Sequence, residues 1–386
     1  MNVILPKHTK RTDLRICTKQ HKGHNKYIAI LVVVLLMATL FSGCAQSVGS
    51  NADDVAGNTK AGESSDDELN EAETTGAESS ATVSAAAGPV SGETDSGKSA
   101  AGTETTVINV TDMMGREITL DKPAERIVAL AASDCEILYA IGAGETLVGR
   151  GEYCDYPAEV LDVPSVQSGS ETNVEQIIAL EPQVVVMSIM AQSKDQVGIL
   201  EAAGIKVVAV NAQDIEGVYT AIGLMGTITG RDLGAASVVN DMRAAFAELS
   251  GKVVGDGTQT IYFEVSPLEY GLWTAGSGTF MNELAVMLGL TNAFEDVQGW
   301  GEISQEQVIE RNPDYIVTIA MYFGEGPKPV DEIMGREGWQ KMKAVSGKRV
   351  YNVNSDEISR PGPRLADALF TMYNFIFTDK VIESAA

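Results

Sequence analysis

The sequence predicts an α/β protein of two similar lobes, each built on a parallel sheet, with one long helix between them. Three observations carry that expectation. A unit of helix, turn and strand occurs twice, residues 173–186 matching residues 304–317 position for position. Apolar strand-like runs alternate with helix-like runs on either side of residue 230, which is the pattern of parallel sheets covered by helices. Between those halves, apolar residues recur at steps of three and four from Leu233 to Leu249, the period of a single long helix.

The repeat is the most informative stretch. Each copy opens on a residue suited to cap a helix, Asn173 or Ser304, with Gln176 or Gln307 three positions later, so each has the pattern of a capping box. Glu175 and Glu306 stand in the first turn, where the helix dipole favours negative charge. Pro182 and Pro313 end the helix, and apolar strands follow. A repeat of this kind implies two lobes of like build.

Charge and composition exclude several classes. The 386 residues carry a formal charge of −25. Residues 1–43 hold seven bases and one acid, so the remainder has 21 bases and 52 acids. Such acidity argues against a nucleic-acid partner, which needs a basic patch. All three histidines, His8, His21 and His24, lie in the first 24 residues. The body therefore has no His for a Ser-His or Cys-His pair, and it lacks a Gly-x-Ser-x-Gly elbow and a Gly-x-Gly-x-x-Gly phosphate loop. An enzyme is not expected, and neither is a bound cofactor. The four cysteines, Cys17, Cys44, Cys135 and Cys154, are too scattered for a disulfide scaffold or a zinc site.

Taken in order, residues 1–26 are basic, an apolar run follows to Phe41, and Ser42-Gly43-Cys44 closes it. A basic start, an apolar core and a small-residue exit describe an export signal. The ending resembles a bacterial lipobox, in which cleavage falls before a cysteine that receives lipid, here Cys44. Phe41 departs from the usual Leu. An uncleaved membrane anchor is the alternative, and either way the body is tethered outside the cytoplasm. Residues 44–106 form an acidic Ala/Ser/Gly/Thr tether with no aromatic residue. Such a stretch cannot offset its ordering entropy and would span about 40–45 Å as a coil.

Order is expected from residue 107. Residues 107–110 and 117–120 read as a hairpin, and residues 126–130 as a strand. Ser133-Asp134 can cap a helix over 136–141, stopped by Gly142 and Gly144. A short strand at 147–149, the first repeat, a helix over 194–203 and a strand at 206–210 complete the N-terminal lobe, residues 107–230. The connecting helix is assigned residues 231–252, and its periodic run from Asp232 to Ser250 is roughly 27 Å long at the usual rise. The C-terminal lobe, residues 253–386, holds a strand at 260–265, a loop at 271–279, a helix at 280–288, the second repeat, a strand at 349–353 and a helix at 363–377.

The strings Arg126-Ile127-Val128, Tyr139-Ala140-Ile141-Gly142-Ala143, Tyr153 to Pro157, the two repeats and Ser359-Arg360-Pro361-Gly362-Pro363-Arg364 occur in that order. Together with the lipobox, tether and long helix, they resemble the ABC-transporter solute-binding proteins for ferric siderophores, cobalamin and haem. The resemblance covers about residues 108–377. It implies two Rossmann-like lobes, a rigid connecting helix, a ligand cleft between the lobes, and a monomer. It also implies that Glu175 and Glu306 dock on arginines of a permease dimer served by an ATPase. Carboxylates on two lobes suit a two-fold partner.

Ligands of such sheets bind at loops beyond the strand carboxyl ends. That rule nominates Arg150, Tyr153, Trp273, Trp300, Tyr322 and Arg360, with Ser133, Asp134, Tyr156, Met187, Met190, Tyr270 and Arg364 as further candidates. Aromatic walls suit a flat or greasy ligand, and arginines suit carboxylates or an anionic iron–catecholate. No metal ligand is expected from the protein. A preassembled ferric siderophore ranks first, with cobalamin or haem as alternatives. A surface sensor or adhesin subunit is the rival of another class. Cys135 and Cys154 both fall on the cleft side of the first lobe, where export permits either a disulfide or two buried thiols.

Overall fold

The computed structural model describes residues 107–169, 172–188, 194–253 and 255–378, all within one compact unit, Ser96–Ala386. The export segment with Cys44, the tether and Met190 lie outside the described residues. No described helix is long and apolar enough to cross a membrane.

Strands β1 (Ile108–Thr111) and β2 (Glu117–Leu120) make the expected antiparallel hairpin. Asp112 organises its turn, accepting the backbone N–H groups of Met114 and Arg116 and two bonds from the Arg116 guanidinium. The first sheet follows, with β3 (Ile127–Ala129), β4 (Leu147–Gly151), β5 (Ser165–Val166), β6 (Val184–Ser188) and β7 (Lys206–Val210). Its order is β5-β4-β3-β6-β7, and every neighbouring pair is parallel. The order reverses at β3, the topological switch point where such sheets open a crevice.

The second sheet has β8 (Thr260–Glu264), β10 (Thr291–Asn292), β12 (Tyr315–Thr318) and β13 (Val350–Asn352), in the order β10-β8-β12-β13, also parallel throughout. A separate hairpin pairs β9 (Leu272–Ala275) with β11 (Trp300–Ile303).

Helix α1 (Ala132–Ala140) differs from its expectation. Its N-cap is Ala131, without a side-chain cap, and Ser133 and Asp134 lie inside the first turn, buried. The repeat helices are α2 (Val174–Ala179) and, later in the chain, residues Gln305–Arg311. Asn173 accepts from the Gln176 N–H in the first copy, and Ser304 accepts from the Gln307 N–H in the second. Only the second copy closes the reciprocal bond, Ser304 N–H to Gln307 Oε1 at 2.8 Å. In the first copy the Gln176 carboxamide instead accepts from the Gln167 N–H.

The repeat extends further than pattern alone indicates. Glu181 and Asn312 occupy the same repeat position and both have positive φ, 49° and 47°. Two residues on, Gln183 Oε1 accepts the Arg126 N–H and Asp314 Oδ2 accepts the Thr260 N–H. Each copy thus pins its own strand beside the first strand of its sheet.

Strand alternation divides the core into layers. Val128, Val185 and Val207 face an outer cluster with Ile177 and Leu200. Tyr262, Ile316 and Val350 face a second outer cluster with Val308 and Trp339. The opposite faces meet one inner cluster, which runs from Ile127 and Val184 to Phe263 and Val317.

Helices α3 (Lys194–Ala202), α4 (Ile215–Thr229) and α5 (Asp232–Lys252) come next. Gly230 ends α4 in the left-handed region, φ 67°. Helix α5 has 21 residues, about 31 Å. It packs on α1 and α4 from the first half and on α6 (Phe280–Met287) and the C-terminal helix Leu365–Phe377 from the second. Gly234 allows the crossing with α1, because a Cβ there would stand 2.2 Å from the Ile141 carbonyl oxygen.

Candidate functional site

The carboxyl ends of the first sheet's central strands and the loops of the second half enclose a cavity of about 400 Å³. That volume lies within the usual range of ligand pockets. From the first half, Ser133 and Asp134 follow β3, Ser188 ends β6, and Asn211 and Gln213 follow β7. From the second half, Phe280, Met281, Trp300, Ile319 and Arg360 complete the walls.

Three backbone or side-chain bonds draw the halves together at this cavity. The Phe280 N–H donates to the Gln213 carbonyl at 2.8 Å. The Trp300 Nε1–H donates to Gln213 Oε1 at 3.3 Å. The Ile215 N–H donates to the Glu283 carboxylate at 2.7 Å, and burial raises the Glu283 carboxyl above its ordinary range. Trp300 stands edge-on to Phe280, ring centroids 5.5 Å apart.

Arg360 lies in the cavity wall, but its charge is already matched. It pairs with Glu136 at 2.9 Å, Asp155 at 2.7 Å and Asp356 at 2.8 Å. Arg364 adds a second guanidinium to Glu136, at 2.6 and 2.8 Å, and stacks 4.2 Å over the Tyr156 ring. Burial alone would lower both arginines; their carboxylate partners outweigh it and hold both above the ordinary value. Glu136 is 3% exposed. The 355–364 segment is therefore fastened to the first half by ionic bonds.

Asp134 is the contrasting group. It is 1% exposed, and neither carboxylate oxygen accepts a well-formed hydrogen bond. Burial pushes its carboxyl up to about 7, although Ala131 and Ser133 lie close enough to oppose the shift.

The other nominated residues scatter. Arg150 turns away from the cavity: its guanidinium donates to the Gly151 and Cys154 carbonyls and so shapes the loop after β4. Tyr153 is 70% exposed and Tyr270 76% exposed, both clear of the cavity walls. Trp273 sits on the separate hairpin opposite Glu302. Met187 shares the Val185 face of β6 and is buried in the outer core. Tyr322 lines a neighbouring cavity of about 560 Å³ in the second half. Tyr156 and Arg364 line a third, of about 640 Å³. Only Trp300 and Arg360 of the six leading candidates line the central cavity, with Ser133 and Asp134 from the wider set.

Cys135 and Cys154 are buried free thiols. Both lie against the Ala129 carbonyl, at 3.8 and 4.0 Å. Contact with Cys154, together with burial, pushes the Cys135 thiol up. Glu175 and Glu306 are both exposed in the first turns of their helices. No group of three or more metal-ligating side chains occurs among the described residues.

The sequence reading missed Gln213, Asn211 and Phe280. The strand-end rule points to them, since they follow β7 and open α6. Asn211 and Gln213 carry neither charge nor ring to set them apart, and Phe280 reads as a core residue of its own helix.

Comparison with known proteins agrees with this architecture. The chain is 34% identical over 288 residues to an ABC transporter substrate-binding lipoprotein of Bacillus subtilis, YvrC, covering 73% of this chain and 89% of that one. It is 25% identical over 248 residues to a vitamin B12-binding protein of Vibrio cholerae, covering 64% and 87%. A crystal structure from Staphylococcus epidermidis, of a possible iron-binding, periplasmic solute-binding protein, superposes with TM-score 0.57 at 31% identity, over 66% of this chain and all of that one. These relatives are substrate-binding proteins and not enzymes. A family model matches residues 127–357, and the chain belongs to the periplasmic binding protein family.

Proposed function

We propose that this protein is a receptor outside the cytoplasm, lipid-anchored through Cys44, that captures a ferric siderophore and delivers it to an ABC importer. The observation that carries the reading is the cavity between the carboxyl ends of the first sheet and the loops of the second half, walled by Trp300 and Phe280. Its neutral polar residues, Ser133, Ser188, Asn211 and Gln213, suit a chelate that brings its own metal ligands. Glu175 and Glu306 are the docking contacts for a permease dimer. In a parallel α/β crossover the helix runs against the strands, so each repeat helix begins at the end of its sheet where the strands finish. Both carboxylates then lie toward the cleft end and stay clear of the ligand.

A corrinoid is the second reading, favoured by the relatives that bind vitamin B12. A sensor subunit would share the cleft and lack the docking role. The double substitution Glu175→Ala/Glu306→Ala decides between transport and sensing. A transport receptor keeps its ligand affinity and loses uptake of radiolabelled ligand by cells. Uptake at the unsubstituted rate would refute the docking role.

A further inference from the structure

We propose that the cleft selects an uncharged or cationic ligand bearing N–H or O–H donors, and rejects polyanionic chelates of the same size. The inference rests on the receptor reading above and narrows its ligand class.

Among the described residues only two ionisable side chains line the central cavity, Asp134 and Arg360. Arg360 is bound to three carboxylates, Glu136, Asp155 and Asp356. Glu136 also holds Arg364. Two guanidinium groups thus meet three carboxylates, and the cluster carries no surplus positive charge. An anionic ligand reaching Arg360 meets a guanidinium whose charge is already matched, by Glu136 and Asp155 on Nη1 and by Asp356 on Nη2.

Asp134 adds a second, independent indication. A carboxyl that is 1% exposed and without a well-formed hydrogen bond is costly unless a partner arrives. A ligand N–H, O–H or ammonium would supply one. A carboxylate or catecholate oxygen would meet repulsion once Asp134 is ionised, above the value of about 7 to which burial pushes it. The remaining lining side chains are neutral hydrogen-bonding groups or apolar walls. Arg150, the other nominated cation of the first half, is turned to backbone carbonyls.

The neighbouring cavity leans the same way. It begins at Ala320, next to Ile319 of the central cavity, and among the described residues its lining includes Glu264, Glu269, Glu325 and Glu332 with no lysine or arginine. Arg336 behind it pairs with Glu264 and Glu332. A trianionic chelate spreading from one cavity toward the other would approach net negative charge, four carboxylates against the one guanidinium of Arg336.

The test is calorimetric titration of the full chain in detergent at about pH 8, where Asp134 is ionised, with four probes. These are a neutral ferric trihydroxamate, a ferric trihydroxamate with one free ammonium group, a trianionic ferric triscatecholate, and a neutral corrinoid. The expected result is that at least one neutral or cationic probe binds at least about tenfold more tightly than the triscatecholate, a gap of about 1.4 kcal/mol. Two variants make the assignment specific. Asp134→Asn removes the unpaired carboxyl, and Asp155→Asn removes a half-exposed partner of Arg360; each should narrow the gap. A purely structural role would shift all probes alike. Triscatecholate binding equal to or tighter than every other probe overturns the charge selection and leaves the receptor reading intact. Silence with all four probes overturns both. A gap unchanged in both variants also overturns the proposal.

Discussion

Replacing Asp134 by Asn should make this protein more stable at alkaline pH relative to the unsubstituted chain, and the gain should vanish in acid. Asp134 is buried, and its carboxyl is pushed up to about 7 from 3.8. Folding therefore favours the protonated form. Its contribution is fully present below the unfolded value and is lost as pH rises through the folded one. The rise from 3.8 to about 7 corresponds to about 4 kcal/mol between the acid and alkaline limits. Between pH 5 and pH 9 the difference between the two proteins should widen by about 3 kcal/mol in favour of the Asp134→Asn variant. The Asn side chain is isosteric and cannot ionise, and the other titrating groups cancel in the comparison. The assay is urea unfolding of both proteins at pH 5, 7 and 9, with free energies from midpoints and slopes. A stability difference that stays flat across that range would refute the reasoning, because it would mean that Asp134 is ionised and satisfied in the fold.

Two further outcomes follow from buried charge and from the shared core. Arg336→Met should cost about 3–5 kcal/mol at neutral pH, because Glu264, 1% exposed, loses its guanidinium; Glu264→Gln/Arg336→Met should recover much of that loss, and a single-substitution cost below about 1 kcal/mol in the same urea assay would contradict it. Ligand binding should leave small-angle scattering nearly unchanged, because the inner apolar cluster runs beneath both sheets and leaves little freedom for a wide hinge; a large compaction on adding ligand would count against a stiff connection through α5.

Much of the fold was legible because it depends on local pattern. The repeat, its caps, the alternating strands and the 21-residue helix all rest on spacing that a sequence displays. The site was less legible because its geometry comes from contacts between distant residues. Arg360 looked like an anion-binding residue; its partner Glu136 is 224 positions away, and nothing in either neighbourhood announces the pair. Arg150 sits at a strand end, as a ligand contact should, yet the adjacent loop carbonyls capture its guanidinium. Met187 could have been excluded from sequence, since alternation from Val185 sends it to the outer face. The loss of the reciprocal cap in the first repeat was not foreseeable either, because Gln167 competes for the Gln176 side chain from outside the unit.

The ionic fastening of the 355–364 segment has a consequence for how the chain is made. Glu136 is synthesised early, and Arg360 and Arg364 emerge more than two hundred residues later. Until they do, Glu136 has no counter-charge, and α5 has no C-terminal helix to lie against. The first half therefore completes its contacts only when the second half is in place, despite their repeated design. A chain cut short before Arg360 should be less stable than the complete chain in urea unfolding, first sheet included, and a complete chain should reach its native state only after its last helix has been released.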